Sequence, residues 1–180
     1  HIDGVKGVGA IPINEKNQCK FGALDIDEYP LDHKQLVDKL DQFKIPCIVC
    51  RSKSGGAHIF FFFTKWMEAA DFRDKAAEIA AALGHGRCEI FPKQEQVLVE
   101  RGDVGNFINL PYFDAEKTLR YAIIKVGKTY VEASLKEFIQ HLGTVKCDPN
   151  KFMQLSVGGK PNLFPGFVPC LRALLSVGIH

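Results

Sequence analysis

Two segments decide the interpretation of this chain: GALDIDEY at residues 22–29 and SKSGGAHIFF at residues 52–61. In the first, Asp25 and Asp27 lie two residues apart within an apolar run. Because side chains alternate along a β-strand, both carboxylates leave one face while their apolar neighbours point into a core. Two adjacent carboxylates repel each other, and an apolar strand is a costly place for them unless a cation joins them. Hard divalent ions such as Mg²⁺ bind carboxylate oxygens, so the pair is a candidate metal site.

The second segment predicts a tight turn between two apolar strands. Its glycine and polar positions are Ser54, Gly55, Gly56 and His58. Bare glycine backbone, a hydroxyl and an imidazole are suited to hold phosphate oxygens. Arg51 and Lys53 flank the turn, and we expect one of them to face the phosphate. Metal-binding carboxylates beside a phosphate site indicate nucleotide chemistry.

The composition is that of an ordinary globular domain. The 180 residues are 46% hydrophobic and 24% charged, which allows one substantial core or two closely packed subdomains. With a formal net charge of only +2, affinity for nucleic acid requires a local basic surface. Candidates for that surface are Arg87, Arg101, Arg120, Lys125 and Lys128. We find no apolar run of membrane-spanning length and no signal-peptide pattern, so no membrane partner is predicted. The chain begins without Met and ends abruptly, and we expect it to be a piece of a longer protein.

Six cysteines raise the alternatives of disulfides or zinc. Only Cys47 and Cys50 form a C-x-x-C pair, and they lie in an apolar run that predicts a strand. Residues three apart on a strand face opposite sides, which is poor geometry for one metal ion. We therefore predict free thiols in a reducing compartment, in keeping with a cytoplasmic location.

The hydrophobic pattern predicts an α+β fold with a mostly antiparallel or mixed sheet. A hairpin is predicted from residues 8–13 and 20–27, followed by a helix that begins at residues 30–32 and runs up to Pro46. Further strands are predicted over residues 46–51, 58–64, 88–92, 106–110 and 122–126, and further helices over 68–83 and 132–142. Phe60, Phe61, Phe62 and Phe63 are assigned to core packing. We expect a catalytic core over residues 1–144, then a connecting segment and the start of a truncated helical region over residues 145–180.

Three motifs in this order resemble those of the archaeo-eukaryotic primase superfamily, the primase-polymerases. The family pattern of apolar residues followed by D-x-D or D-x-E is met by LDID at residues 24–27. A small-residue turn ending in His is met by SGGAH at residues 54–58. A carboxylate on a later strand, followed by a P-Y element, is met by CEIF at 88–91 and NLPY at 109–112. The similarity is greatest to members fused to helicases in phages and mobile elements.

The resemblance implies an N-terminal αβ unit packed on a unit like an RNA-recognition motif, with the active site between them. It implies that Asp25, Asp27 and Glu89 are the catalytic ligands of Mg²⁺ or Mn²⁺. The implied nucleotide-binding residues are Arg51, Lys53, Ser54, Gly55, Gly56, His58 and Lys93. Glu89 stands where the family usually has Asp, and Glu95 and Glu100 are its rivals. Tyr112 and Phe113 are candidate sugar or base contacts.

The expected function is that of a template-directed DNA primase or polymerase that transfers a nucleotidyl group from an NTP or dNTP to a 3′-hydroxyl on single-stranded DNA. A helicase domain in the full-length chain, and a replication role in a bacterial host or phage, follow from the resemblance alone. The alternatives are a primer-extending or gap-filling polymerase without priming and a non-catalytic single-strand-binding module. A D-x-D glycosyltransferase also uses metal and a nucleotide, but it does not account for SGGAH.

Overall fold

The computed structural model describes residues 1–157, which form eight β-strands and four α-helices. The strands are β1 Gly9–Ala10, β2 Gln18–Ile26, β3 Ile48–Arg51, β4 Ala57–Glu68, β5 Glu89–Phe91, β6 Ile108–Asn109, β7 Ala122–Val126 and β8 Thr129–Ala133. The helices are α1 His33–Gln42, α2 Ala69–Leu83, α3 Leu135–Val145 and α4 Pro149–Met153. None of the helices in this part of the chain has the length and apolar character needed to span a bilayer.

The main sheet has six strands in the order β5-β2-β4-β3-β7-β8, and every neighbouring pair is antiparallel. A second, two-stranded sheet pairs β1 with β6. The predicted α+β class with antiparallel pairing is confirmed, and the arrangement is consistent with a two-part core. The centre of the main sheet is the long pair β2 and β4, the two strands that carry the LDID and SGGAH motifs.

Local signals at the ends of the first two helices agree with the structure. Asp32 caps α1 by accepting a hydrogen bond from the Gln35 amide at 3.0 Å. Gly84 ends α2 with a φ of 91°, the left-handed conformation that glycine adopts at little cost. Both helices were predicted from these residues.

The main sheet is buried on both faces by different elements. One face packs against α1, α2 and α4, and its centre is a group of aromatic rings with centroids 5.1–5.9 Å apart. Those rings belong to Phe61, Phe63, Phe72 and Phe152. The other face, which we call the site face, carries Phe60 and Phe91 and is covered by Ile108, Tyr112 and the α3 residue Phe138. Three of the four consecutive phenylalanines, Phe60, Phe61 and Phe63, are buried, which confirms their core assignment.

Two predicted elements are corrected. The turn at residues 14–18 exists, but pairing with β2 stops after one bridge between Ile13 and Cys19, and β1 pairs with β6 instead. This pairing requires glycine at position 9, because the ring of Phe107 lies directly over Gly9 and a Cβ atom there would be 2.3 Å from it. The helix predicted from residue 132 begins at Leu135, because Ser134 and Glu137 form a capping box and residues 129–133 are strand β8.

The segment after α3 packs against the helix-covered face of the sheet. Helix α4 places Phe152 in the core with no exposed surface, and Cys147 forms a parallel bridge with Phe63. The division at residue 144 remains a prediction, and the predicted connecting and helical region beyond residue 157 lies outside the described residues.

The cysteines of residues 1–157 are free thiols, namely Cys19, Cys47, Cys50, Cys88 and Cys147. Cys47 packs against the helix-covered core and Cys50 belongs to the site face, so the C-x-x-C pair points in opposite directions as predicted. Burial raises the pKa of Cys47 to about 12, which keeps this thiol protonated and a poor metal ligand at neutral pH.

Candidate active site

Three neighbouring strands bring polar side chains into one row at the end of the site face. Asp25 on β2 is the cross-strand partner of His58 on β4 and of Glu89 on β5. Directly opposed residues in antiparallel strands have their side chains on the same face and within interaction distance. Asp25, His58 and Glu89, which lie more than thirty residues apart in the chain, therefore meet in one row with Asp25 at its centre.

One oxygen of the Asp25 carboxylate is buried without a hydrogen bond in residues 1–157. Its side chain is 17% exposed, and Oδ1 has no hydrogen-bond partner among the described residues. Nε2 of His58 lies 3.2 Å from Oδ1, which is within ion-pair distance, but it forms no hydrogen bond with this oxygen. An unsatisfied buried carboxylate oxygen is costly, and a bound cation would remove that cost.

The glycine-rich turn sits directly against the end of β2. The amide of Ser52 donates to the Gly56 carbonyl at 2.8 Å, and the amide of Gly55 donates to the Ser52 carbonyl at 3.2 Å. A Cβ atom on Gly56 would lie 2.1 Å from the carbonyl oxygen of Ile26, so no larger residue fits there. Gly55 has a φ of 103°, and Nε2 of His33 lies 2.9 Å from the Gly56 carbonyl. The turn is thereby fixed beside the two aspartates.

A tyrosine connects the carboxylate segment to the turn. The hydroxyl of Tyr29 donates to Oδ1 of Asp27 at 2.9 Å and is hydrogen-bonded to Oγ of Ser54. Oγ of Ser54 also lies 3.2 Å from Oγ of the buried Ser52. Sequence reasoning overlooked Tyr29, although its place two residues after Asp27 was a usable signal.

These side chains surround one cavity of about 170 Å³. Its lining consists of Asp25, Asp27, Ser52, Lys53, Ser54, His58, Asn109 and Arg120. Acidic oxygens and cationic or hydroxyl groups thus share a single small space. Asn109 comes from β6 and was quoted only as part of the NLPY motif, while Arg120 was considered only for template phosphates.

Three of the predicted site residues make contacts outside this cavity. Nζ of Lys93 lies 2.8 Å from Oε1 of Glu89, and the Glu89 side chain is 55% exposed. Nη1 of Arg51 donates to the carbonyl of Leu119 at 3.2 Å. In residues 1–157, no three His, Cys, Asp or Glu side chains are close enough together to form a ready-made metal site. The backbone of Glu89 thus pairs with that of Asp25, but the Glu89 carboxylate is bound to Lys93.

The rival acids lie away from the aspartate pair. Oε1 of Glu95 is 3.9 Å from Nε of Arg73, and Glu100 is exposed on a 3₁₀ turn at Val99–Arg101. Neither lines the cavity that holds Asp25 and Asp27.

The proposed sugar or base contact by Tyr112 is wrong. Tyr112 is 1% exposed, and its hydroxyl donates to the Ala133 carbonyl at 2.8 Å and accepts from the Ala122 amide at 3.0 Å. Burial raises the pKa of Tyr112 to about 12, so the hydroxyl remains a neutral structural donor. The residue joins the NLPY segment to β7 and β8 rather than facing a ligand.

Comparison with known families places most of the chain in one of them. Residues 1–141 match the family model described as the archaeo-eukaryotic primase domain of the TOTE conflict system. A comparison with curated proteins finds no match. The matched region contains every residue of the cavity described above. Because the match covers more than half of the chain, this protein belongs to the archaeo-eukaryotic primase superfamily, in the TOTE conflict system family of primase domains.

Proposed function

We propose that this domain catalyses template-directed nucleotidyl transfer, as a DNA primase or polymerase acting on single-stranded DNA. Its family supports a nucleotidyltransferase function of the primase-polymerase kind. In the proposed reaction the 3′-hydroxyl oxygen forms a bond to the α-phosphorus of an NTP or dNTP. The bond from that phosphorus to the bridging oxygen of the β-phosphate breaks, pyrophosphate leaves, and the hydroxyl proton passes to solvent.

One observation carries the proposal: a single cavity combines two carboxylates with groups that bind phosphate. Asp25 and Asp27 supply hard oxygen donors, while Lys53, Ser54 and His58 supply donors for anionic oxygens. A divalent cation bound to a triphosphate has the complementary charges: the cation would face the carboxylates, and the phosphate oxygens would face the lysine, serine and histidine. A site for a metal ion alone, or for an anion alone, has no need of both sets.

The residues at the cavity fit a divalent ion. The buried Oδ1 of Asp25 has no hydrogen bond within the described part of the chain, and Asp27 shares the cavity with it. We assign Asp25 and Asp27 as ligands, and Glu89 as the third ligand once its carboxylate turns from Lys93. When bound, Mg²⁺ or Mn²⁺ lowers the pKa of the attacking hydroxyl and neutralises charge on the triphosphate.

The protein's own groups would position the reactants. The Ser52–Gly56 turn offers backbone and the Ser54 hydroxyl to the phosphates, and His58 donates an imidazole N–H to a phosphate oxygen. Tyr29 would keep Asp27 and Ser54 at a fixed separation. Holding both reactants in one geometry accelerates an in-line displacement without a protein nucleophile.

The decisive experiment incubates the protein with single-stranded DNA, Mn²⁺ and labelled NTPs or dNTPs, with and without a primer. Products on unprimed template establish priming. Products only on primed template establish the extending or gap-filling polymerase. The control is Asp25→Asn with Asp27→Asn, which removes both carboxylates; label incorporated equally by this variant would refute the proposal.

The remaining alternatives are tested in parallel. A single-strand-binding module would bind DNA with unchanged affinity after loss of both aspartates and would incorporate no label. A glycosyltransferase would release nucleoside diphosphate from a nucleotide sugar, which the proposed enzyme leaves intact.

A further inference from the structure

The cavity holds a cation with no role in the proposal above. Arg120 lines it beside Lys53 and Ser54. In the described part of the chain, no carboxylate lies within 4.0 Å of its guanidinium and no side-chain hydrogen bond engages it. Its Cζ atom lies 5.4 Å from the centroid of the Phe113 ring. The guanidinium therefore stacks on an aromatic face while its N–H groups stay available to an anion.

The backbone that carries Arg120 is held on both sides. The Arg120 amide donates to Oγ1 of Thr118 at 3.0 Å, and its carbonyl accepts from the amide of Tyr112 at 3.0 Å. Tyr112 is in turn anchored in the core through its hydroxyl. A cation presented from a fixed backbone loses little conformational freedom when it binds a ligand.

Arg51 connects the glycine-rich turn to this segment. Nη1 donates to the carbonyl of Leu119, and the Arg51 amide donates to the carbonyl of Tyr121 at 2.9 Å. These carbonyls belong to the residues on either side of Arg120. Nη2 lies against the turn, 3.3 Å from the position that a Cβ on Gly55 would take. Arg51 thus spans the gap between the turn and the Arg120 segment and does not line the cavity.

We propose that Arg120 binds the triphosphate of the incoming nucleotide, and that Arg51 is a positioning residue that holds Arg120 beside the turn. This assignment rests on the proposed function and names a further binding residue in the same site. A guanidinium offers two parallel N–H donors to neighbouring phosphate oxygens, which a flexible lysine cannot match. Because Arg120 shares its cavity with both aspartates, its anion is the one that also meets the metal, which is the triphosphate and not the template backbone.

The test is calorimetric titration of dATP and of inorganic tripolyphosphate, each with Mg²⁺ in constant excess, into six proteins. These are the wild type, Arg120→Ala, Arg120→Lys, Arg51→Ala, the double variant Arg51→Ala with Arg120→Ala, and Lys136→Ala as an exposed control outside the cavity. Thermal melts establish that each variant is folded. Arg120→Ala should weaken the binding of both ligands about 10- to 100-fold, Arg120→Lys should weaken it less, and Lys136→Ala should leave it unchanged.

The double variant separates contact from positioning. If Arg51 acts through Arg120, Arg51→Ala weakens tripolyphosphate binding in the wild type but adds nothing in the Arg120→Ala background. Equal losses in both backgrounds would overturn the positioning role. Unchanged triphosphate affinity in Arg120→Ala, or a loss confined to single-stranded DNA, would overturn the binding role. Should Arg120→Ala fail to fold, Arg120→Lys and Arg120→Gln are compared instead, and equal affinities would count against the assignment.

The same titrations keep the two proposals distinct. A wild type that binds tripolyphosphate through Arg120 but transfers no nucleotide would refute the proposed function and support this inference. A wild type that binds neither ligand would refute both.

Discussion

The two faces of the six-stranded sheet carry alternate residues of the same strands but differ in how they are covered. On the helix-covered face, Leu24 and Ile26 are buried in one continuous apolar cluster. On the site face, Ala23 is buried in the core, and the next residue on that face is the polar Asp25. The same change occurs from Phe60 to His58 on β4 and from Phe91 to Glu89 on β5.

The difference teaches where a site can form in such a sheet. The helix-covered face fixes the register of β2, β4 and β5, because a slip of one residue would turn its entire apolar set to the opposite face and bring the polar row into the aromatic cluster. Once the register is fixed, the polar residues at the end of the site face are held in one row without any change in the packing of the core. Stability and function thus depend on opposite faces of the same strands, and substitutions should separate them.

The largest expected effect is on activity and comes from the centre of the row. Asp25→Asn keeps the size of the side chain but removes the charge that would bind the metal. Nucleotidyl transfer should fall by at least about 10³-fold, which corresponds to about 4 kcal/mol of transition-state stabilisation. The free energy of unfolding should change by less than about 1 kcal/mol, because Oδ1 is buried without a hydrogen bond in residues 1–157 and a neutral amide is easier to bury than a charge. Primer extension and urea denaturation measure the two quantities, and near-normal extension would contradict the assignment.

The helix-covered face should give the reverse result. Phe72→Ala removes a fully buried ring that packs against Phe61, Phe63 and Phe152. It should cost about 3–5 kcal/mol of unfolding free energy because it leaves a cavity in the aromatic cluster. Nucleotide affinity per folded molecule should stay near the wild-type value, with Phe72→Leu as the milder variant if folding is lost. Urea denaturation measures the stability, and calorimetry measures the nucleotide affinity. A loss of nucleotide affinity in the folded variant would contradict the assignment of stability and function to different faces.

The row's edge residue should have an intermediate effect. Glu89→Gln keeps the shape and hydrogen bonding of the side chain but removes its charge, and we expect activity to fall about 10²-fold with weaker Mn²⁺ binding. Glu95→Gln and Glu100→Gln serve as controls because neither lines the cavity. Mn²⁺ binding measured by electron paramagnetic resonance gives a readout independent of activity. If Mn²⁺ binding were lost in Glu95→Gln or Glu100→Gln but not in Glu89→Gln, that other residue, and not Glu89, would be the third metal ligand.

The turn should tolerate no side chain at Gly56. Gly56→Ala would place a Cβ atom 2.1 Å from the Ile26 carbonyl, which forces the turn away from β2. Nucleotide affinity should fall by about 10-fold or more, since displacing the donors removes hydrogen bonds to charged oxygens. Gly143→Ala is the matched control because, among the described residues, nothing beyond its chain neighbours and its own helix backbone lies within 4 Å of the new methyl group, and it should stabilise helix α3 slightly. Calorimetric titration of dATP into both variants would contradict the packing argument if their affinities were equal.

Local patterns predicted the parts of the site that local chemistry determines. Asp25 and Asp27 follow from the two-residue period of a strand, and the turn follows from its glycines. The pairing of β1 with β6, which brings Asn109 to the cavity, involves two-residue strands about a hundred residues apart and leaves no periodic signal. The side-chain partners of Arg51 and Lys93 depend on which acceptors lie nearby in three dimensions, and sequence spacing does not encode that choice.

The smallest expected effect comes from Tyr29, where the two motifs of the site are joined. Tyr29→Phe keeps the exposed ring but removes the hydroxyl that donates to Asp27 and is bonded to Ser54. A hydrogen bond of this kind contributes about 1 kcal/mol, so we expect about a fivefold loss in kcat/KM. Because Asp27 and Ser54 serve different ligands, both the Mn²⁺ requirement and the KM for nucleotide should rise together. Tyr121→Phe is the control, since its hydroxyl donates to Glu132 away from the cavity. A change in only one of the two parameters would mean that Tyr29 supports one motif and does not couple them.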